Sequence, residues 1–297
     1  GERLAVGPPV GLAHAVERTD TGPYKDVVWK REDINEIEYA SLLHDFGKIG
    51  VREHVLIKAK KLYPHELVLL KQRFDFVRRG IEVDLLSRKL SLIERGGPAA
   101  DLADLDRELA ARLAELDDAW STVNHANEPT VLAAGDFKKI EDLAKQSFAT
   151  LEGGHAPLLT AEEVKSLSVM RGSLTAEEFD EIRSHVSHTY RFLSKIPWGK
   201  TFARVAIIAA AHHERLNGTG YPNRWRAEEI PVQSKMMTIS DIFDALTASD
   251  RPYKRAVPVD KAMHILDLEV KDGHVDPELV RIFRDAKVWE QIMGALY

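Results

Sequence analysis

The 297-residue chain contains no cysteine. That absence excludes disulfide scaffolds, thiolate metal sites and cysteine nucleophiles together. It fits a reducing, cytoplasmic setting. No apolar run approaches the roughly 18 residues that a membrane-spanning helix needs, and no signal peptide is visible. Aromatic residues are few, at 7%. Basic residues do not dominate: 41 Lys and Arg against 47 Asp and Glu give a net charge of −6. Duplex nucleic acid is therefore not the expected partner, and an anionic substrate would need a local cluster of cations. What is present is ample apolar content, 44%, beside 30% charged residues, the composition of a globular chain with a substantial core. The length corresponds to two domains, or to one domain carrying a large insertion. The opening Gly1-Glu2-Arg3 reads as the middle of a longer protein.

Helical signals dominate and alternating strand patterns are scarce, so the expected fold class is all-α, a helical bundle. Asp33 with Glu36 resembles a capping box, followed by Ile34, Ile37, Ala40 and Leu43 at helical spacing and closed by Gly47. Thr160 with Glu163 and Thr175 with Glu178 give two more starts, the second opening a long helix that must stop before Pro197. Residues 201–216 and 233–249 form two further helices. The stretch between them, with Gly218, Gly220, Pro222 and Pro231, is a structured loop. In residues 98–126, Leu102, Leu105, Leu109, Leu113, Leu116 and Trp120 make a seam, either of a hairpin within the chain or of a coiled-coil dimer contact. Lys61–Lys71 echoes Ser173–Arg183, which reads as one element interrupted by a long insertion. The expected organisation is a discontinuous domain, residues 1–73 and 170–297, with a helical, coiled-coil-like insertion at 74–169.

Histidines gather near carboxylates. His44-Asp45 ends a helix, where imidazole and carboxylate together suit Fe, Mn or Zn. His212-His213 lies within or beside an apolar face marked by Phe202, Val205, Ile208 and Ala209. Two buried imidazoles there need partners, which a metal or core hydrogen bonds would supply. On the helix opened by Thr175, His185 falls at the edge of the apolar face and His188 on the solvated side. Asp241 and Asp244 sit in a helix apolar almost all round; spacing alone does not choose between them. No serine elbow, P-loop or dinucleotide fingerprint occurs.

Four runs in order, His44-Asp45-Phe46-Gly47-Lys48, His212-His213-Glu214-Arg215 through Gly220-Tyr221-Pro222, Asp241-Ile242-Phe243-Asp244 and Arg251-Pro252-Tyr253-Lys254, resemble the HD-GYP family of the HD phosphohydrolase superfamily. Asp276-Pro277 matches that family's C-terminal helix start. The resemblance implies an HD-type bundle holding two or three divalent metals, most often iron or manganese. It implies hydrolysis of cyclic di-GMP to pGpG, GMP or both. The implied metal ligands are His44, Asp45, His185, His212, His213 and Asp241, with Asp45 bridging. Lys48, Arg251 and Lys254 would hold the substrate phosphates, and Tyr221 would shape the guanine pocket or touch a phosphate. Lys48 and Asp45 would thus stand at the reaction itself, where a metal-activated water attacks phosphorus in line. A further upstream ligand, usual in the family, would be Glu2, His14 or Glu17, or precede residue 1. The alternative is a catalytically weak receptor or regulatory module, which the insertion and its seam would serve. A homodimer through the insertion and a sensory domain N-terminal to this chain complete the expectation.

Overall fold

The computed structural model describes residues 7–247 and 257–290. Twelve helices occur among them: α1 (Pro8–Glu17), α2 (Arg31–Leu43), α3 (Glu53–Leu56), α4 (Pro64–Glu94), α5 (Ala99–Ala126), α6 (Ala134–Ala144), α7 (Ala161–Leu167), α8 (Ala176–Leu193), α9 (Val205–Ala210), α10 (Val232–Thr247), α11 (Val259–Lys271) and α12 (Pro277–Asp285). A 3₁₀ segment, Phe46–Gly50, follows α2. The only sheet among the described residues is the antiparallel pair β1 (Ser147–Ala149) and β2 (His155–Pro157), with Phe148 opposite Ala156. The fold is all-α.

The chain divides into two compact units, Gly1–Glu53 with Asp180–Tyr297, and His54–Phe179. In the first, α1, α2, α10, α11 and α12 enclose a core built on Leu12, Ile37, Met236, Ile239, Phe243, Leu266 and Phe283. A second cluster joins Ala40, Leu193, Val205, Ile208 and Met237. The start of α12 is fixed locally: Asp276 accepts hydrogen bonds from the Glu278 and Leu279 amides, and Pro277 occupies the position where an amide would have no partner. In the second unit, α4 and α5 form a hairpin whose core is Leu70, Phe74, Leu116 and Val123, joined by Ile140 of α6 and Leu167 of α7. The leucine seam is turned inward against α4: Leu116 is buried and Trp120 rests on Phe74 at 5.2 Å.

Three helix boundaries differ from the sequence expectation. α2 begins at Arg31, and Asp33 accepts the Lys30 amide at 2.9 Å from inside the first turn instead of capping it. Glu36 is buried and accepts the Arg204 amide at 2.9 Å, tying α2 to the chain ahead of α9. The helix expected over 201–216 spans only Val205–Ala210. Its continuation is prevented by tertiary partners: the His212 carbonyl accepts Thr238 Oγ1 at 2.7 Å, and the His213 carbonyl accepts the Tyr221 amide at 3.2 Å. The two echoing segments are matching helix starts. Glu66 accepts the Tyr63 amide as Glu178 accepts the Thr175 amide, at 2.8 and 2.9 Å.

Candidate metal centre

Two peptide segments and two helices of the first unit bring the histidines together. His44 closes α2 and Asp45 follows it. Thr189 of α8, fully buried, donates through Oγ1 to the His44 carbonyl at 2.8 Å and accepts the Gly47 amide at 2.9 Å. Gly47 has to be glycine here, because a Cβ would stand 1.9 Å from the His185 carbonyl oxygen. The His44-Asp45 turn is thereby pinned against α8, which carries His185. His212 and His213 follow α9, and α10 presents Asp241.

The geometry is close. One atom each of His185, His212 and His213 lie within 4.8 Å of one another, and the same holds for His44, Asp45 and His212. His212 therefore belongs to both groups. Asp45 approaches His44 Nε2 and His185 Nε2 through its two oxygens, at 3.4 Å each. Asp241 Oδ1 lies 3.9 Å from His44 Nε2. Lys48 Nζ lies 2.5 Å from Asp45 Oδ2.

Each of three histidines is fixed in the same way. His44, His185 and His212 place Nδ1 2.6 Å from the carbonyl oxygen of Ser41, Ile182 and Ala209, respectively, three residues earlier. A carbonyl only accepts, so Nδ1 carries the proton and Nε2 keeps its lone pair. His185 and His212 are each 1% exposed, and their Nε2 atoms have no hydrogen-bond partner. A buried, partnerless nitrogen is costly unless something ligates it. This donor set, imidazole nitrogens oriented by backbone carbonyls beside carboxylates, fits a divalent transition metal.

Electrostatics agree. Burial pushes the His185 and His212 imidazoles below the ordinary histidine range, and it brings His213 to about 4, so these rings are neutral at pH 7. For His44, burial pulls down but the Asp241 and Asp45 carboxylates win and raise it. Burial would raise Asp241, yet the surrounding histidines hold it well below the usual carboxylate range. Asp244 is pushed up to about 6 by burial and by the charge of Asp241. A cavity of about 190 Å³ is lined by Glu38, Ser41, His44, His212, Asp241 and Asp244, together with Pro8 and Pro9. A larger open cleft, about 810 Å³, lies in the second unit and contains none of these residues.

Tyr221 stacks on His213, with centroids 4.8 Å apart, and the Arg183 guanidinium lies over the Tyr221 ring, 4.6 Å from its centroid. Burial raises the Tyr221 phenol and Arg183 opposes it only in part, so the hydroxyl remains a neutral donor. The loop bearing Tyr221 is braced by Glu214, 2% exposed, whose carboxylate accepts the Asn223 and Trp225 amides at 2.7 and 3.0 Å. Gly220 lies so close to the Glu214 backbone that a Cβ would stand 2.5 Å from its Cα. Asn217 accepts from the Thr219 amide and donates to the Asp272 carbonyl, a bond an aspartate would not make.

Of the expected site residues, His44, Asp45, Lys48, His185, His212, His213, Asp241 and Tyr221 thus lie in one neighbourhood. Arg251 and Lys254 lie outside the described residues, as does Glu2. His14 and Glu17 face each other at 3.9 Å at the end of α1 and join neither histidine group. His188 is half-buried, not solvated: its Nδ1 is covered, and it packs against Gly50. Thr189 and Thr238 escaped the sequence reading, since a threonine at such positions looks like any surface residue, and Glu214 was read only as part of a motif, not as the brace of the loop.

A helical domain with a histidine–carboxylate cluster of this kind offers ligands for a metal ion, and comparison with known proteins shows what it is similar to. Residues 156–279 match the HD domain family. The matched stretch contains His185, His212, His213 and Asp241, and the relatives that follow bear the names expected from the HD-GYP resemblance. It is similar to the 3'3'-cGAMP-specific phosphodiesterase 3 of Vibrio cholerae, 39% identical over 115 residues, which are 39% of this chain and 24% of that protein. It is similar to the cyclic di-GMP phosphodiesterase of Thermotoga maritima, 36% identical over 113 residues, 38% of this chain and 30% of the relative. The match to the 3'3'-cGAMP-specific phosphodiesterase 2 of Vibrio cholerae is longer, 30% identical over 199 residues, 65% of this chain and 37% of the relative. The chain spans about a quarter to a third of the length of these relatives. No helix among the described residues is long and apolar enough to cross a membrane.

Proposed function

We propose that this chain is a metal-dependent phosphodiesterase that hydrolyses cyclic di-GMP to pGpG, GMP or both. The observation that carries the reading is the shared tautomer of His44, His185 and His212, which leaves three Nε2 lone pairs beside Asp45 and Asp241. His44, Asp45, His185, His212, His213 and Asp241 would hold two or three divalent ions, iron or manganese, with Asp45 shared between them. When bound, such ions supply a nucleophile at neutral pH and offset charge on phosphate oxygens. The residues of the chain do the rest. Lys48, 2.5 Å from Asp45, meets the phosphate at the edge of the cluster. Tyr221 keeps its proton and donates a hydrogen bond. Arg251 and Lys254 add the remaining cations by motif. In this reading residues 1–73 and 170–297 are the phosphodiesterase domain and 74–169 its insertion. A cytoplasmic setting and a sensory segment before residue 1 belong to the same proposal.

The test is chromatography of the products formed from cyclic di-GMP, with 3'3'-cGAMP in parallel, by chain purified without oxygen and loaded with iron or manganese. Release of pGpG or GMP is expected. Intact cyclic di-GMP after incubation with metal-loaded protein would reject the assignment.

A further inference from the structure

In the second unit, α4 buries Leu70, Phe74 and Leu85 on one side. Its outward side is also apolar. Leu69, Phe76, Val83, Leu86, Leu90 and Ile93 are 58, 38, 62, 56, 57 and 55% exposed. A helix apolar on two sides normally has both covered. Here α5 covers one. Residues 69, 76, 83 and 90 recur every seven, and 86 and 93 follow at three: these are the a and d positions of a coiled-coil seam.

We propose that this face of α4 is the seam of a homodimer, paired antiparallel with α4 of a second copy about a two-fold axis between Val83 and Leu86. The occupant follows from self-complementarity. Gln72 and Arg79 also fall at d positions. A parallel, in-register pair would set Arg79 against Arg79 within the seam. The antiparallel register sets Phe76 against Ile93 of the second copy and Val83 against its Leu86, and two-fold symmetry repeats each layer. Arg79, highly exposed, then lies beside Leu90, with its stem on apolar surface and its guanidinium in water. Flanking the seam, Glu82, paired with Arg79 in its own chain, faces Lys89 of the second copy, which is held by Asp106, and the two-fold repeats the arrangement. Gly80, on the opposite flank at the lip of the cleft, has nothing of its own chain within 4 Å of where a Cβ would be. A mid-helix glycine costs up to about 1 kcal/mol, and here it leaves room for the incoming helix. Leu69 lies beyond the overlap of the two helices; with roughly 100 Å² free on each of the other five side chains, a two-fold pair would bury on the order of 1,000 Å², the small end of specific interfaces. The leucines of α5 are engaged inside the hairpin, so α4 offers the dimer contact that the seam of α5 does not.

The test is the mass of the full chain in solution, by light scattering and sedimentation over a wide concentration range. Twice 33.4 kDa is expected. Val83→Glu with Leu86→Glu, both exposed, should give 33.4 kDa with unchanged helical circular dichroism. Because the chain has no cysteine, a single introduced thiol reports orientation. Leu86→Cys, next to the axis, should oxidise to a linked dimer. Ile93→Cys should not, its two copies standing roughly 25 Å apart along the helices. A wild-type chain that stays at the monomer mass, a dimer indifferent to the double substitution, or cross-linking at position 93 as ready as at 86 would each overturn the proposal.

Discussion

His212 is the residue on which both histidine groups depend. Its Nδ1 is spent on the Ala209 carbonyl and its Nε2 is buried and partnerless, so its only remaining chemistry is ligation. Truncating it removes a donor from both groups at once; His212→Ala should strip metal and abolish hydrolysis, read by elemental analysis and product chromatography. Lys48 stands apart. Its ammonium touches Asp45 but donates no lone pair, so Lys48→Ala should raise KM for the dinucleotide roughly tenfold, the loss of about 1.4 kcal/mol of charge-assisted binding, while metal content stays at the wild-type level. Metal loss in that variant would mean that Lys48 acts through Asp45 and not on substrate. The histidines and Asp241 were legible in the sequence because their types are rare inside helices and costly to bury without partners. Asp241 and Asp244 were not separable by periodicity. Only the fold shows the first beside His44 and the second protonated to about pH 6 at the cavity wall.

At the scale of elements, the site is held by contacts that carry no chemistry of their own. Thr189 joins α8 to the turn that carries His44 and Asp45 through two hydrogen bonds from one hydroxyl. Thr189→Val keeps the volume and leaves the Gly47 amide and the His44 carbonyl without partners. It should cost about 1–3 kcal/mol of stability and weaken metal binding, measured by thermal unfolding with and without manganese. A midpoint equal to wild type would refute this role. Gly47→Ala should be harsher, since the new methyl meets the backbone of α8. The Thr160 and Thr175 capping boxes, Pro277 and Asp276 were readable because they are local in sequence, whereas Asp33 and Glu36 mimicked a box two residues past the true start of α2. The early end of α9 was not, because what stops it is Thr238 and the Tyr221 amide, residues remote along the chain. α4 was hard to place for a related reason. With apolar residues on two sides, its periodicity does not show which side the hairpin covers.

For the whole molecule, the buried histidines tie stability to pH. In the metal-free chain His185, His212 and His213 bind protons less readily than unfolded histidine, whose pKa is near 6.5. The unfolded state therefore takes up more protons as pH falls below about 6.5, and stability declines toward pH 4. Asp244, raised to about 6, and His44, raised by its carboxylate neighbours, pull the other way over parts of that window, but they are two groups against three. The thermal midpoint of chelator-treated protein should thus fall between pH 7 and pH 4, and a midpoint that rises would contradict the neutral-histidine assignment. Protons also compete with metal for the same nitrogens, so metal affinity should fall over the same range.

Calorimetric titration of manganese into the metal-free chain tests the central claim most directly, with the His212→Ala variant alongside. At least two ions per chain are expected for the wild type, and the variant should lose tight binding altogether because both groups share the deleted ring. Equal uptake by the two proteins would mean that these side chains, though gathered together, are not what holds the metal.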